Sequence, residues 1–474
     1  MSTPLLARIP PRYWALAVLL VWGGVALLLL RQQPYGLDEG AARALLLNWT
    51  IVDNVANPIV IFGVPDLRAL LFIPLGIYWP GNLLAAKIFT LLLVFIAALL
   101  FYQWSRRALG QETALIATGL LLISPALLQQ VDALGAGPYL LLAFALGAWL
   151  DHSYRAAPRP WGGKYFSQML LAAVSVSLHP AGLAYPIALA WRWYKDPLDR
   201  RQQRHVYIGV AAAVLFVVLL RAGWHGLEWW QNPLTALAGA VLGPQLETGS
   251  NLTLLTGILF TLALLGTLIA GARELVSDLT GGMLLASVLL GLATADLTWA
   301  LLALTLVLYY GTPRLIAMNE FIDGRSLLGQ RGGVLLAVVL IATLFMNIGK
   351  AYYAYVRSSV LPPQDQLIQT LAVEAAADTS KPFRAASQWP ARTLIAVKRE
   401  VLPLPPPAED GEALMKMIPG ITHLMFDPYD EGNRQLAKNI AELGGAMETL
   451  ALQPGGVIVK VRGAQQPPAP AVPN

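Results

Sequence analysis

Apolar runs recur along the first 350 residues, and lipid leaves such runs almost one backbone solution. Without water, a spanning segment must satisfy its own N–H and C=O groups, so it crosses as a helix. The runs lie at 14–30, 83–104, 113–129, 138–150, 166–178, 181–193, 206–221, 252–271, 280–295, 297–311 and 333–348. They make about eleven spans, several shorter than the roughly 20 residues of a perpendicular helix. Only 13% of the 474 residues are charged, against roughly 25% in soluble domains. The charge is also uneven: residues 1–350 hold 22 Lys/Arg and 16 Asp/Glu, residues 351–474 hold 11 and 12. A polytopic α-helical membrane protein with a small soluble C-terminal domain accommodates both facts. A soluble globular enzyme, a disordered chain and a collagen-like repeat do not. The net charge of +5 comes from the membrane part, where juxtamembrane Lys/Arg explain it without nucleic acid. There is no cysteine, which excludes disulfides, thiol nucleophiles and cysteine metal sites.

Basic clusters orient the chain. Arg8 and Arg12 precede the first run, which ends at Arg31 and has no small-residue cleavage site, so it reads as a retained span. Ser105-Arg106-Arg107, Arg155 to Lys164, Arg192 to Arg204, Arg273 and Arg314 to Arg331 then fall on one side. With Arg8 and Arg12 they make 16 of the 22 basic residues of the membrane part, which marks that side as cytoplasmic. Residues 166–193 are flanked by basic clusters at both ends. Two short helices meeting at His179-Pro180-Ala181-Gly182 satisfy the charge rule; a single span with one misleading cluster is the alternative.

An odd number of spans sends the C-terminus outward. After the aromatic belt Tyr352-Tyr353-Ala354-Tyr355 the pattern becomes that of a small α/β unit over residues 351–462. Helices are expected at 364–377 and 431–443. Strands are expected at Thr393–Val397, Thr422–Phe426, Met447–Leu452 and Val457–Val461, the last two joined by the turn Gln453-Pro454-Gly455-Gly456. Leu402–Pro407 reads as a loop and 463–474 as a disordered tail.

This threading gathers the unusual polar residues on the outer face. Outer loop 31–82 begins with Asp38 and Glu39 and continues through Ala41–Thr50, a helix apolar on one side and suited to the interface. Asp132 lies in the next outer turn, and His225 and Glu228 in a third outer loop behind Arg221. The acids of the membrane part on that face are Asp38, Glu39, Asp53, Asp66, Asp132, Glu228, Glu247 and Asp296. A carboxylate there can take a proton from an acceptor hydroxyl or amine. Arg and Lys can hold a phosphate or diphosphate leaving group; Arg43, Arg68, Lys87 and Arg221 are the candidates, with Asp132, His179 and His225 beside them. Each has a structural alternative. Asp38 suits a helix N-cap, Glu39 the first turn, Asp132 a solvated turn. Arg68 and Lys87 can snorkel to headgroups, His179 can satisfy backbone groups, and Arg221 can simply end a span. No phosphate-binding Gly-rich loop, His-Glu-x-x-His or serine elbow occurs.

Four stretches follow one another in order: Tyr35-Gly36-Leu37-Asp38-Glu39-Gly40 after the first span, Pro65-Asp66-Leu67-Arg68-Ala69-Leu70, Leu83-Leu84-Ala85-Ala86-Lys87-Ile88 through Ser105-Arg106-Arg107-Ala108-Leu109-Gly110, and Leu122-Ile123-Ser124-Pro125 through Tyr139-Leu140-Leu141-Leu142. Their order resembles the GT-C superfamily of integral-membrane glycosyltransferases, above all the protein O-mannosyltransferases and the aminoarabinose transferase of lipid A. The likeness covers about the first 190 residues. The chain departs from the family pattern at Ala136-Gly137-Pro138, where an acid is common, at Asp66, and at Asp296.

The resemblance implies a GT-C-like transmembrane domain over 1–350 and an inverting transfer from a polyprenyl-phosphate-linked sugar. Asp38 would be the base, with Glu39 supporting it or the acceptor. The implied setting is a bacterial inner membrane with a cytoplasmic N-terminus and a periplasmic C-terminal domain. Expected partners are the lipid-linked sugar, membrane lipids and a protein, glycan or lipid acceptor. No particular cofactor is implied with certainty, and a divalent metal is left open. A catalytically silent GT-C-like scaffold is the alternative function. A transporter of lipid-linked material built around His179 is a third.

Overall fold

The computed structural model describes residues 11–31, 33–53, 67–156, 162–195, several positions of 279–287, 361–377, 379 and 382–462. The expected spans from 206 to 271 and from 288 to 348, with Asp66, Arg221, His225, Glu228, Glu247 and Asp296, lie outside the described residues. The chain divides into two compact units. One comprises residues 1–30 and 87–357; the other joins 31–86 to 358–474. The outer loop therefore clusters with the C-terminal segment.

The first unit is helical. Helix α1 runs Pro11–Leu29. After the loop helices α2 (Glu39–Asp53), α3 (Arg68–Leu71) and α4 (Ile73–Tyr78), the chain enters α5, Leu83–Leu109. At about 1.5 Å per residue, 27 residues span the hydrocarbon core with margin. It ends on Arg106 and Arg107, as the charge pattern predicts. The run expected at 113–129 is two helices, α6 (Gln111–Ile123) and α7 (Pro125–Asp132). Ser124 is extended and Pro125, which has no N–H, occupies the first turn of α7, so the helix restarts there. Helix α8 (Gly137–Ala156) packs against α9 (Gly163–Leu178).

Helix α9 stops at His179, a 3₁₀ turn covers Pro180–Leu183, and α10 continues over Ala184–Lys195. The helix break thus falls at the expected His179-Pro180-Ala181-Gly182. Gly182 is obligatory here: a Cβ on it would stand 1.8 Å from the Ser175 carbonyl oxygen.

In the second unit, α11 (Pro363–Ala377), β1 (Ala385–Ser387), α12 (Pro390–Val397), β2 (Val401–Pro403), α13 (Gly411–Met417), β3 (His423–Phe426), α14 (Arg434–Leu443), β4 (Met447–Gln453) and β5 (Gly456–Val461) form an α/β domain. The strand order is β2-β1-β3-β5-β4, with β1 parallel to β2 and β3, and β5 antiparallel to β3 and β4. Alternation places Ala386, Leu424, Phe426, Val457 and Val459 in one core with Leu414, Ile418 and Leu436. Ala385, Met425 and Ile458 join Leu367, Leu371 and Val397 in the other. The sheet is thus covered on both faces.

Two expectations fail. Thr393–Val397 is a helix: its β-branched residues suggest a strand, but Pro390 starts a helix whose apolar side packs on α2 and α11. The Pro-rich loop at 402–407 instead begins in edge strand β2, where Pro403 needs no ladder donor.

Helix α2 is not an interfacial helix either. Ala41, Ala42, Ala44 and Leu45 are fully buried. One side packs on Ala391, Leu394 and Ile395 of α12 through Ala42, Leu46 and Trp49. The other meets α3 and α4: Asn48 Nδ2 donates to Ala69 O at 2.8 Å, and a Cβ on Gly76 would come 2.7 Å from Asn48 O.

Candidate functional site

The N-terminus of α2 carries the two outer-loop acids in different roles. Asp38 follows the buried Leu37 and caps the helix, Oδ1 accepting from Ala41 N–H at 2.9 Å. The same oxygen meets the Arg68 guanidinium at 2.6 Å. The arginine side chain is 4% exposed and the aspartate 42%, so the cation is sealed in the protein while the carboxylate faces outward. Arg68 is therefore not a snorkelling residue. Its burial is tolerated because the charge is paired.

Glu39 turns toward the C-terminal segment. Its Oε1 and Oε2 accept the backbone N–H groups of Ala391 and Arg392, each at 3.1 Å. Trp389, at the start of α12, offers no side-chain cap. The glutamate therefore caps that helix from 352 residues away in sequence, satisfying donors that α12 leaves open. Burial raises the Glu39 pKa above its ordinary value, against the lowering effect of the Arg392 and Ala391 N–H groups and of Arg43. Arg43 Nε donates back to Glu39 at 3.2 Å, one helical turn on. Arg392 in turn pairs with the buried Asp365 of α11.

Lys87 and Asp132 form a second pair, within the helical unit. Lys87 lies in the first turns of α5 with no exposed surface, and its Nζ meets Asp132 Oδ1 at 2.7 Å. One turn on, Thr90 Oγ1 and Tyr139 OH of α8 are 2.7 Å apart. The structure excludes both the headgroup reading of Lys87 and the solvated-turn reading of Asp132, which is the last residue of α7 and buried. Paired ionisable groups inside a helical membrane unit are costly and rare away from function.

His179 caps the 3₁₀ turn, its Nδ1 accepting from Ala181 N–H at 3.1 Å. Asp38 with Arg68, Glu39 with Arg43, and Asp132 with Lys87 thus come together in pairs, and Arg221 and His225 lie outside the described residues. Sequence reasoning placed Arg68 and Asp38 on one side of the membrane but held no signal for their pairing. It also missed Arg392 and Asp365. Among the described residues no group of three His, Asp or Glu is placed to hold a metal ion. The three acids at the candidate positions each face a cation.

No family model matches the sequence, and no curated protein does. Solved structures do match. ArnT from Cupriavidus metallidurans in the apo state is 13% identical, with a TM-score of 0.53 over 96% of this chain and 98% of that one. The same protein bound to undecaprenyl phosphate is 11% identical, with a TM-score of 0.52 over 96% and 99%. AglB, the archaeal oligosaccharyltransferase from Archaeoglobus fulgidus, in complex with an inhibitory peptide and a dolichol-phosphate, is 12% identical. Its TM-score is 0.52 over 88% of this chain and 69% of that one. At such identities the likeness is one of fold.

Proposed function

We propose that this chain, whose fold is that of the GT-C membrane glycosyltransferases, moves a sugar from a polyprenyl-phosphate donor to an acceptor at the outer face of the membrane. The observation that carries the reading is the Asp38–Arg68 pair, an outward-facing carboxylate held by a buried guanidinium at the start of the outer-loop helix. The complexes of ArnT with undecaprenyl phosphate and of AglB with dolichol-phosphate support a donor of this chemical class.

In the reaction, an acceptor hydroxyl or amine attacks the anomeric carbon as Asp38 takes its proton. The bond from that carbon to the phosphate oxygen breaks, and the electron pair leaves with polyprenyl phosphate. Attack opposite the leaving group inverts the anomeric centre. Arg68, sealed behind the carboxylate, keeps Asp38 aimed at the acceptor. Glu39 acts as a positioning residue: by capping α12 it holds the N-terminus of α2, and so Asp38, against the C-terminal segment. Lys87 and Asp132, both enclosed, hold α5 to α7 inside the helical unit. The proposed setting is a bacterial inner membrane with the C-terminal segment in the periplasm.

The test is sugar transfer from polyprenyl-phosphate donors by the purified chain, comparing wild type with Asp38→Asn. Asparagine caps a helix as well as aspartate, so the substitution removes the base and keeps the cap, while the buried Arg68 loses its counter-charge. The folded state is checked by the unfolding midpoint, and the activity is compared on folded protein. Full activity in Asp38→Asn sinks the assignment of the base. No transfer by wild type with any donor favours the non-catalytic scaffold.

A further inference from the structure

Alternation along the sheet puts His423 and Met425 of β3, with Ile458 and Lys460 of β5, on the face that α11 covers. Beside that face β4 departs from regular pairing. Thr449 pairs with Val459 and Ala451 with Ile458, so Leu450 is an extra residue. A β-bulge of this kind re-aims a side chain, and here Leu450 becomes the wall of a groove. The groove has a volume of about 380 Å³. Leu371 and Ile458, both fully buried, are its floor, and Val373 and Glu374 of α11 also line it.

Glu374 is the polar end. Its Oε1 accepts from Lys460 Nζ at 2.7 Å, and His423 Nε2 stands 4.0 Å from the same oxygen. His423 is 4% exposed, and its Nε2 is buried with no hydrogen-bond partner among the described residues. The neighbouring threonine sets the tautomer. Thr422 Oγ1 donates to Arg384 O at 3.0 Å, which spends its one proton. Toward His423 Nδ1, 2.8 Å away, it can then only accept. Nδ1 therefore carries the ring proton, and Nε2 keeps a bare lone pair. Two acceptors 4.0 Å apart call for a donor between them.

We propose that this groove binds a small neutral molecule with an N–H or O–H donor on an apolar body. The donor sits between His423 Nε2 and Glu374 Oε1, and the body lies between α11 and Leu450. Lys460 already neutralises Glu374, so the polar end offers an ammonium no net charge, and an anion meets the carboxylate. An apolar pocket of this size with a few convergent polar groups is the usual form of a small-molecule site. The site stands whether or not the chain transfers sugar.

The test reads the imidazole directly. Histidine nitrogens are isotope-labelled in full-length protein reconstituted into phosphatidylethanolamine–phosphatidylglycerol liposomes and observed by magic-angle-spinning NMR. Of the five histidines, His423 is identified by its loss in His423→Gln. Isovaleramide, an amide donor on a branched apolar body, is expected to bind saturably and to shift the Nε2 resonance upfield. N,N-dimethylisovaleramide keeps the body and lacks the donor. It should bind about ten-fold more weakly, the worth of one hydrogen bond, and leave the resonance in place. Val373→Trp, at a position 65% exposed, fills the groove and should abolish binding of both. Equal binding of the two amides, an Nε2 resonance unmoved at saturation, or no saturable binding of isovaleramide overturns the site. So does a protonated Nε2 in the ligand-free protein at neutral pH.

Discussion

Two ion pairs of this chain, Asp38–Arg68 and Lys87–Asp132, contrast by solvent. In the outer loop, Arg68 is sealed and Asp38 reaches outward. In the helical unit, Lys87 and Asp132 are both enclosed. An enclosed pair holds helices together, because separating it leaves a charge in low dielectric; a half-open pair keeps a carboxylate that can meet a substrate. The position of the polar atoms, more than their chemistry, divides the labour.

The largest expected effect separates the pairs by readout. Asp38→Asn should lower transfer by about a hundred- to ten-thousand-fold, the usual contribution of a general base, and should also lower the unfolding midpoint, because the buried Arg68 loses its counter-charge. Lys87→Met should act on stability alone. It strands Asp132, at a cost of about 3–5 kcal/mol, seen as a lower unfolding midpoint in detergent. The double substitution Lys87→Met with Asp132→Leu should recover most of that loss. A stable Lys87→Met protein with a raised donor KM would instead place this pair in the phosphate site and dissolve the contrast.

A next effect, of about 3 kcal/mol, belongs to the C-terminal segment. His423, on β3, has its pKa lowered to about 4, by burial first, then by the Lys460 charge, with Glu374 opposing. Lys460 Nζ bonds Glu374 at 2.7 Å and Phe383 stacks on the imidazole at 4.9 Å. The neutral ring is the folded form, whereas the unfolded chain titrates near 6.5. Between those values the unfolded state binds the extra proton. Stability is therefore full above about 6.5 and lost progressively as pH falls toward about 4. Hydrogen exchange of 423–426 and 457–461 should report the loss, and His423→Gln should flatten it.

Glu39 gives the smallest expected shift. Glu39→Ala leaves the Ala391 and Arg392 donors without the carboxylate, a cost of about 1–3 kcal/mol. Faster exchange should be confined to the start of α12 and to α2. Glu39→Gln, which keeps one acceptor oxygen, should fall between. Unchanged exchange in α12 would mean that the outer loop does not hold the C-terminal segment.

Much of the architecture is legible because it is local. Arg106 and Arg107 end α5, Ser124-Pro125 divides α6 from α7, His179 to Gly182 breaks the next pair, and Gln453 to Gly456 turns the hairpin. Each follows from backbone chemistry within a few residues. The helix at 390–397 was illegible for the complementary reason. Thr393, Ile395 and Val397 favour a strand alone, and only contacts with α2 and α11 reverse that preference.

For the site, the sequence by itself determined which polar residue types gather in the loop between the first two long spans. That placement follows from hydropathy, which can be summed along the chain. It did not determine the partners. Asp38 and Arg68 are 30 residues apart, Lys87 and Asp132 are 45 apart, and Glu39 meets α12 across 352. Only the tertiary structure chose these pairings, because a buried charge takes whichever opposite charge or donor the packing brings within hydrogen-bonding distance.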